Sequence, residues 1–215
     1  NFFIYLLTKY LEKLVFAYSD ISTSVSNFEK IKIKKLYNKN TFLFPNGINI
    51  NKNIKKLKSN KYYIIYCGSY LYKPNKEAID YLNHKIMPNL IKKFPRIKLV
   101  LTGGGFEKKY PWIIDKKIVS KQKLYELIKG SICMCVPLKF GSGTRVKIIE
   151  ALSIGTVVIS SKKGIEGIQL LKKNPPFVFK NTQNFLNILK YTINNHKKIK
   201  RLAYKDRLFY LKNFS

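Results

Sequence analysis

The sequence predicts an α/β fold, a Rossmann-like doubly wound parallel sheet. Three observations predict it. Short continuous apolar runs recur along the chain without polar alternation, as expected of strands buried on both faces. Stretches with apolar residues at helical spacing separate these runs, which is the alternation of a parallel sheet wound by right-handed crossovers. Glycines stand directly after several runs: Gly68, Gly103 to Gly105, and Gly141 with Gly143. Those are the carboxyl ends of the strands, where such sheets bind ligands.

The elements follow in order. Residues 1–17 carry Leu6, Leu7, Tyr10, Leu14 and Ala17 at helical spacing. A short strand is expected over Asp20 to Val25. Ser26 or Asn27 then has N-cap chemistry, with Glu29 in the first turn of a helix to about Tyr37. Thr41 to Phe44 is a brief apolar strand, broken by Pro45-Asn46-Gly47, and the Asn- and Lys-rich residues 51–60 read as a linker. Tyr62 to Tyr66 is a strand. A helix from about Asn75 to Lys93 has Ala78, Leu82, Ile86 and Leu90 in one stripe. Strands are expected at Ile97 to Leu101 and Lys117 to Val119, a helix at 121–129, and a strand at Ser131 to Val136. A helix over 144–154, a strand over Thr156 to Ser160 and a weak strand at Phe177 to Phe179 come next. Helices at 182–194 and 197–212 close the chain.

Composition bounds the function. The 215 residues suffice for one good-sized domain plus part of another. The chain opens at Asn1 inside an apolar stretch and stops after a helix-like run, so both ends read as cuts through a larger protein. The expected division is residues 1–50 as the end of one domain with a hinge, 61–196 as the ligand-binding domain, and 197–215 as a C-terminal helix. No apolar run reaches the roughly 18 residues of a membrane span. The net charge of +31 invites a nucleic-acid reading. Of the 42 basic residues, however, only Arg96, Arg145, Arg201 and Arg207 are arginine, and the lysines are spread along the chain. A nucleic-acid reader would carry more of the bidentate arginine donors, so no nucleic-acid partner is expected. A solvated lysine surface is the plain reading, and a face for anionic lipid or a polyanionic substrate the alternative. Three cysteines without framework spacing argue for reduced thiols and a cytoplasmic setting. Cys133 and Cys135 alternate on one strand and should share a buried face.

The chemistry concentrates between Pro137 and Ser160. A strand ends, a glycine-rich turn follows, and a helix starts near Gly143 with Arg145 and Lys147 in its first turn and no acid. Free amides, the positive end of the helix dipole and two cations make an anion site suited to a diphosphate. Glu150 lies about two turns further on. A carboxylate there needs a partner, because unpaired burial is unfavourable. A ribose diol or a lysine would serve. The triple glycine at 103–105 fails the dinucleotide fingerprint in spacing and reads as a tight turn.

Taken together, Gly143-Thr144-Arg145, Lys147, Glu150-Ala151-Leu152, Gly155 and Val158-Ile159-Ser160, followed by Gly164-Ile165-Glu166-Gly167, resemble the signature of the family-4-like, GT-B-fold retaining glycosyltransferases, also known as glycosyl transferases group 1. Gly68-Ser69 with Pro74-Asn75 and Ala78 resembles the first strand and loop of the same branch. Val25-Ser26, Glu29 and Pro45-Asn46-Gly47-Ile48 resemble the end of the acceptor domain and the hinge. The resemblance implies a GT-B C-terminal domain with a remnant of the N-terminal domain, a nucleoside-diphosphate-sugar donor, a glycan or lipid-linked acceptor and no metal. It implies that Gly143, Thr144 and Arg145 cradle the diphosphate, that Glu150 holds the ribose, and that Gly68 and Ser69 line the phosphate side. Lys73 stands near the family's phosphate-binding lysine, one residue closer than the common spacing. The turn at Val119-Ser120 would meet the nucleobase. Two departures stand out. Ser142 occupies the place of the family's first glutamate, and Ser69 that of its arginine. The rival readings are a non-catalytic nucleotide-sugar-binding paralogue and a basic nucleic-acid- or anionic-membrane-binding protein. Acceptor-activating groups belong to the other half, so this chain by itself is expected to bind without turnover, in the cytoplasm or peripherally at the inner face of the membrane.

Overall fold

A computed structural model describes residues 2–50, 62–171 and 177–214. Helix α1 (Phe2–Tyr18) leads to strand β1 (Thr23–Ser24), helix α2 (Asn27–Tyr37) and strand β2 (Phe42–Leu43), which pairs in parallel with β1. The two strands are shorter than the apolar runs suggested, since no third strand flanks them among the described residues. Helix α2 begins as its cap chemistry dictates. Ser26 Oγ accepts the Glu29 N–H at 3.2 Å, and the Glu29 carboxylate accepts the Val25 N–H at 3.3 Å. It ends at Asn38 in the left-handed conformation. The expected linker at 51–60 lies outside the described residues.

The second unit holds strand β3 (Tyr63–Cys67), helix α3 (Lys73–Tyr81), a π-helical turn (Leu82–Ile86), helix α4 (Met87–Ile91), strands β4 (Lys98–Thr102) and β5 (Ile113–Asp115), helix α5 (Lys121–Gly130), strand β6 (Met134–Val136), helix α6 (Val146–Ile154), strands β7 (Val158–Ser161) and β8 (Phe177–Phe179), and helices α7 (Thr182–Asn194) and α8 (His196–Phe214). The six strands β3 to β8 form one parallel sheet in the order β5-β4-β3-β6-β7-β8. From β3 the chain winds outward through β4 to β5, then returns to β6 beside β3 and winds the other way. The switch point therefore lies between β3 and β6, and their carboxyl ends open a crevice. Strand β3 is buried along its whole length, as are Leu99 to Thr102 of β4 and all of β6. Cys133 and Cys135 are fully buried free thiols, their sulfurs 3.8 Å apart.

Three element expectations are corrected. The strand expected at Lys117 to Val119 lies instead at Ile113–Asp115, paired with Leu99 to Leu101. The Asp115 carboxylate accepts the Lys117 N–H at 2.8 Å and Lys117 takes φ 51°, which turns the chain out of the sheet. The helix expected from Asn75 starts at Lys73, with Pro74 in its first turn, and is interrupted by the π-helical turn shortly before Pro88. A proline nitrogen cannot donate to the preceding turn, and the widened turn accommodates this. Helix α6 starts at Val146, which makes Arg145 its N-cap.

Helix α6 buries Ile148, Ile149, Ala151, Leu152 and Ile154. At about 1.5–3 kcal/mol for each large side chain, this burial anchors the helix whose start faces the crevice. At its other end Gly155, with φ 80°, lies so close to Tyr204 of α8 that a Cβ would be 2.9 Å from the Tyr204 Cα. Helix α8 in turn reaches the first unit, where the Ile48 N–H donates to the Phe214 carbonyl at 2.6 Å.

Candidate functional site

A cavity of about 320 Å³ occupies the crevice at the switch point. On one side stands the turn after β3, with Gly68, Tyr72 and Asn75. On the other stand Phe140 to Ser142 and the start of α6, with Thr144, Arg145 and Lys147. No carboxylate is among its lining residues.

The turn after β3 is held from three sides. The Gly68 N–H donates to the Thr102 carbonyl at 2.9 Å, and the Tyr70 N–H to the Gly104 carbonyl at 3.0 Å. Asn75 Nδ2 donates to the Ser69 carbonyl at 3.0 Å, and Ser69 Oγ accepts the Leu71 N–H at 3.3 Å. Gly103 explains why a glycine run follows β4. With φ 111°, a Cβ there would sit 2.5 Å from the Gly68 carbonyl carbon and 2.6 Å from Ser69 N. Two backbones pack at a distance that only glycine permits.

The opposite wall is the turn from Gly141 into α6. Its cap residue Arg145 has φ −84°, ψ 89° and no side-chain cap bond, so the amides at the helix start lack a side-chain acceptor. The guanidinium folds back, with Nη1 donating to the Ser142 and Gly143 carbonyls. Nη2 is buried without a partner, and so is Thr144 Oγ1. Two unpaired buried donors in one cavity wall are unfavourable until something accepts from them. Gly143 itself is exposed with φ 76° and has open space where a Cβ would be.

Lys147 turns inward. Its ammonium donates to the Cys67 carbonyl at 2.6 Å, to Asn75 Oδ1 at 3.0 Å and to the Tyr66 hydroxyl at 3.3 Å, and lies 4.5 Å from the Tyr66 ring centroid. Among the described residues no carboxylate pairs with it. Removal from water, which disfavours the charged form, pulls its pKa down to about 8. Burial likewise pushes the Cys67 thiol up to about 11 and the Tyr66 hydroxyl well above its ordinary range.

The structure thus gathers Gly68, Ser142, Thr144 and Arg145 around one cavity, with Ser69 beside it. Lys73 is exposed at the rim, its Nζ 5.9 Å from the Phe140 ring centroid. Glu150 and Ser120 stand apart from the cavity lining. Glu150 Oε1 accepts the Tyr125 hydroxyl at 2.7 Å, so its protein partner is a tyrosine rather than a lysine. Ser120 caps α5 and accepts the Lys123 N–H at 3.3 Å. Tyr72, Phe140, the contacts of Asn75 and the inward course of Lys147 are not legible in the sequence. The one signal for Lys147 was its place in the first turn of a helix without acids.

The first unit also reaches this site. A Cβ on Gly167, which follows β7 and has φ 80°, would lie 2.8 Å from Ser26 Oγ and 3.4 Å from Thr144 Oγ1. The capped start of α2 therefore stands across from the start of α6.

Comparison with known proteins agrees with this architecture. The model of the family described as glycosyl transferases group 1 matches residues 61–195. No curated protein sequence matches the chain. Among solved structures, sucrose-phosphate synthase from Thermosynechococcus elongatus is similar with a TM-score of 0.75 at 15% identity, over 96% of this chain and 57% of that one. TarM is similar with a TM-score of 0.78 at 14% identity, over 97% and 43%. Anabaena Alr3699/HepE, solved in complex with UDP and glucose, is similar with a TM-score of 0.69 at 14% identity, over 94% and 61%. The chain spans about half the length of these proteins. Among the described residues, no helix is long and apolar enough to cross a membrane.

Proposed function

This chain belongs to the glycosyl transferases group 1 family, and on that premise we propose that its cavity binds the diphosphate of a nucleoside-diphosphate-sugar donor for transfer of the sugar, with retention, to a glycan or lipid-linked acceptor. One observation carries the reading. The cavity at the switch point combines a helix start, Arg145 and Lys147 with two buried donors that lack partners, Thr144 Oγ1 and Arg145 Nη2, and has no acid among its lining residues. A diphosphate satisfies all of these together. The same groups would stabilise the charge on the departing diphosphate as the glycosidic bond breaks.

Glu150, with one oxygen committed to Tyr125, has the other for a ribose hydroxyl. Gly143 stands exposed at the turn, with Gly68 in the facing wall and Ser69 beside it. Lys73 at the rim supplies further positive charge, and the turn before Ser120 takes the base. Ser142 brings a neutral hydroxyl where the family has a carboxylate, so its contact with the donor sugar is a hydrogen bond without charge. The groups that activate the acceptor belong to the acceptor domain. Ser26, opposite Thr144, marks where that domain meets the donor.

The test is a thermal-shift and calorimetric screen of the chain with UDP, GDP, ADP and their glucose conjugates. UDP is the first probe, since Alr3699/HepE was solved with UDP-glucose. A nucleoside diphosphate at a hundred times its Kd stabilises by about 2.7 kcal/mol. Glu150→Ala should weaken the best binder by about 1.5–3 kcal/mol, the range for a hydrogen bond to a charged group. Absence of any nucleotide-dependent shift refutes the reading, and unchanged affinity in Glu150→Ala removes that residue from the site. Affinity that collapses steeply with added salt would point instead to a general polyanion surface.

A further inference from the structure

Lys147 poses a question that its family place leaves open. Its ammonium sits part-buried at the cavity wall among three neutral oxygens: the Cys67 carbonyl, Asn75 Oδ1 and the Tyr66 hydroxyl. These contacts orient the charge but do not compensate it. Burying a cation without a counter-ion is strongly unfavourable. Lys147 also links the two walls of the cavity. It is anchored on α6, and its partners are the last residue of β3 and Asn75, the side chain that holds Ser69.

Among the described residues, the charged and titratable groups around it are few. Tyr66 and Cys67 face it from β3, Glu150 shares α6 with it, and Arg145 is the N-cap of that helix. Helix α3 presents neutral Asn75, with Lys73 exposed at the rim. Arg145 adds a like charge that disfavours the ammonium further. The carboxylate of Glu150 hydrogen-bonds to Tyr125. Of the two groups that could supply a negative charge from β3, both are pushed upward by burial and stay neutral near pH 8. Among the described residues none pairs with Lys147 as a counter-charge, which leaves the cavity that it lines.

Resting on the diphosphate reading above, we infer that Lys147 is a positioning residue whose charge is completed by the donor's diphosphate, so that donor binding draws a proton from solvent onto its amine. The proton adds to the Nζ lone pair and no covalent bond is broken. In the free protein the amine is partly neutral just above pH 8, and a bound diphosphate restores the ammonium. The ammonium in turn holds Cys67 and Asn75, and through Asn75 the Ser69 carbonyl, so charge completion and ordering of the phosphate-side turn occur together.

The experiment is calorimetric titration of the chain with UDP at pH 7, 8 and 9, in pairs of buffers with different ionisation heats, alongside Lys147→Arg and Lys147→Met. UDP itself takes up no proton in this range, because a terminal phosphate ionises near pH 6. For the wild-type chain, net proton uptake should rise from near zero at pH 7, where the roughly one-tenth of a proton lost by UDP offsets that gained by Lys147, to about nine-tenths at pH 9, and affinity should fall about tenfold between those values. Lys147→Arg, charged throughout, should bind UDP with no proton uptake and a flat pH profile. Lys147→Met should bind more weakly at pH 7 and also take up no proton. The wild-type measurement stands whether or not the variants fold. A flat wild-type profile overturns the inference, as does uptake that persists in Lys147→Arg. Binding of UDP without proton uptake overturns this inference alone, whereas no binding at any pH overturns the donor reading itself.

Discussion

Replacing Gly103 by alanine places a methyl group where the backbone of the phosphate-side turn already stands. The added Cβ would be 2.5 Å from the Gly68 carbonyl carbon, 2.6 Å from Ser69 N and 2.9 Å from the Gly68 oxygen. None of these atoms belongs to a flexible side chain, so the two loops must separate by about 1 Å. Overpacking of this kind typically destabilises by about 1–3 kcal/mol. The backbone adds its own term, since φ 111° is a region that side chains rarely adopt, at about 1–3 kcal/mol. The expected loss is therefore about 2–6 kcal/mol. Gly104→Ala is the control. Its φ is also positive, at 75°, but the nearest atom to its Cβ is Ile118 Cγ1 at 3.3 Å, on an exposed side chain free to move. That variant should lose only about 1–2 kcal/mol. Urea unfolding of both variants measures the difference, and UDP titration of the folded fraction measures the site. Gly103→Ala should lose tenfold or more in affinity, because it displaces Gly68 and Ser69, while Gly104→Ala should bind as wild type does. Equal stability of the two variants would refute the packing argument. A destabilised Gly103→Ala with unchanged UDP affinity would detach this turn from the site.

Two further outcomes follow from unpaired and desolvated groups. Thr144→Val removes a hydroxyl that is buried without a partner, so unfolding of the free chain should show unchanged stability or a gain of about 1 kcal/mol, while UDP affinity falls five- to tenfold. A destabilised free chain would show that the hydroxyl has a partner after all. Lys147 also makes stability depend on pH. Its pKa is about 8 in the folded chain and 10.5 in the reference state, so the unfolded chain binds more protons between those values, and stability rises with pH across that window. The penalty present at pH 7 is about 3 kcal/mol. Urea midpoints at pH 7 and pH 10 should rise more for wild type than for Lys147→Met, and equal rises would contradict the burial of that charge.

Much of the candidate site was legible in the residues themselves. The turn at Gly141 to Gly143, the helix after it and Gly68 after β3 are local features, and the cavity is lined by Gly68, Gly141, Ser142 and the start of that helix. Less legible were contacts between segments far apart in the chain. Glu150 was expected to need a partner, with a ribose or a lysine in view. Tyr125, one helix and one strand earlier, supplies a hydroxyl. By sequence Arg145 is a first-turn cation of an anion site. As the N-cap it instead bends back onto the Ser142 and Gly143 carbonyls and leaves one nitrogen unpaired.

Apolar runs, helical spacing, cap residues and glycines determine strands, helices and turns over a few residues, because backbone sterics and burial on one or both faces act locally. They were enough for the alternation of strand and helix, the parallel sheet and the α2 cap. Strand order, the placement of β5 at Ile113–Asp115 and the inward course of Lys147 were decided only when distant segments met. The reason is physical: the pairing of β3 with β6 joins residues far apart in sequence, and Lys147 reaches carbonyl and amide oxygens 72 to 80 positions away. Whether a lysine faces water or a cavity depends on which oxygens the fold brings beside it, and spacing along the chain does not carry that information.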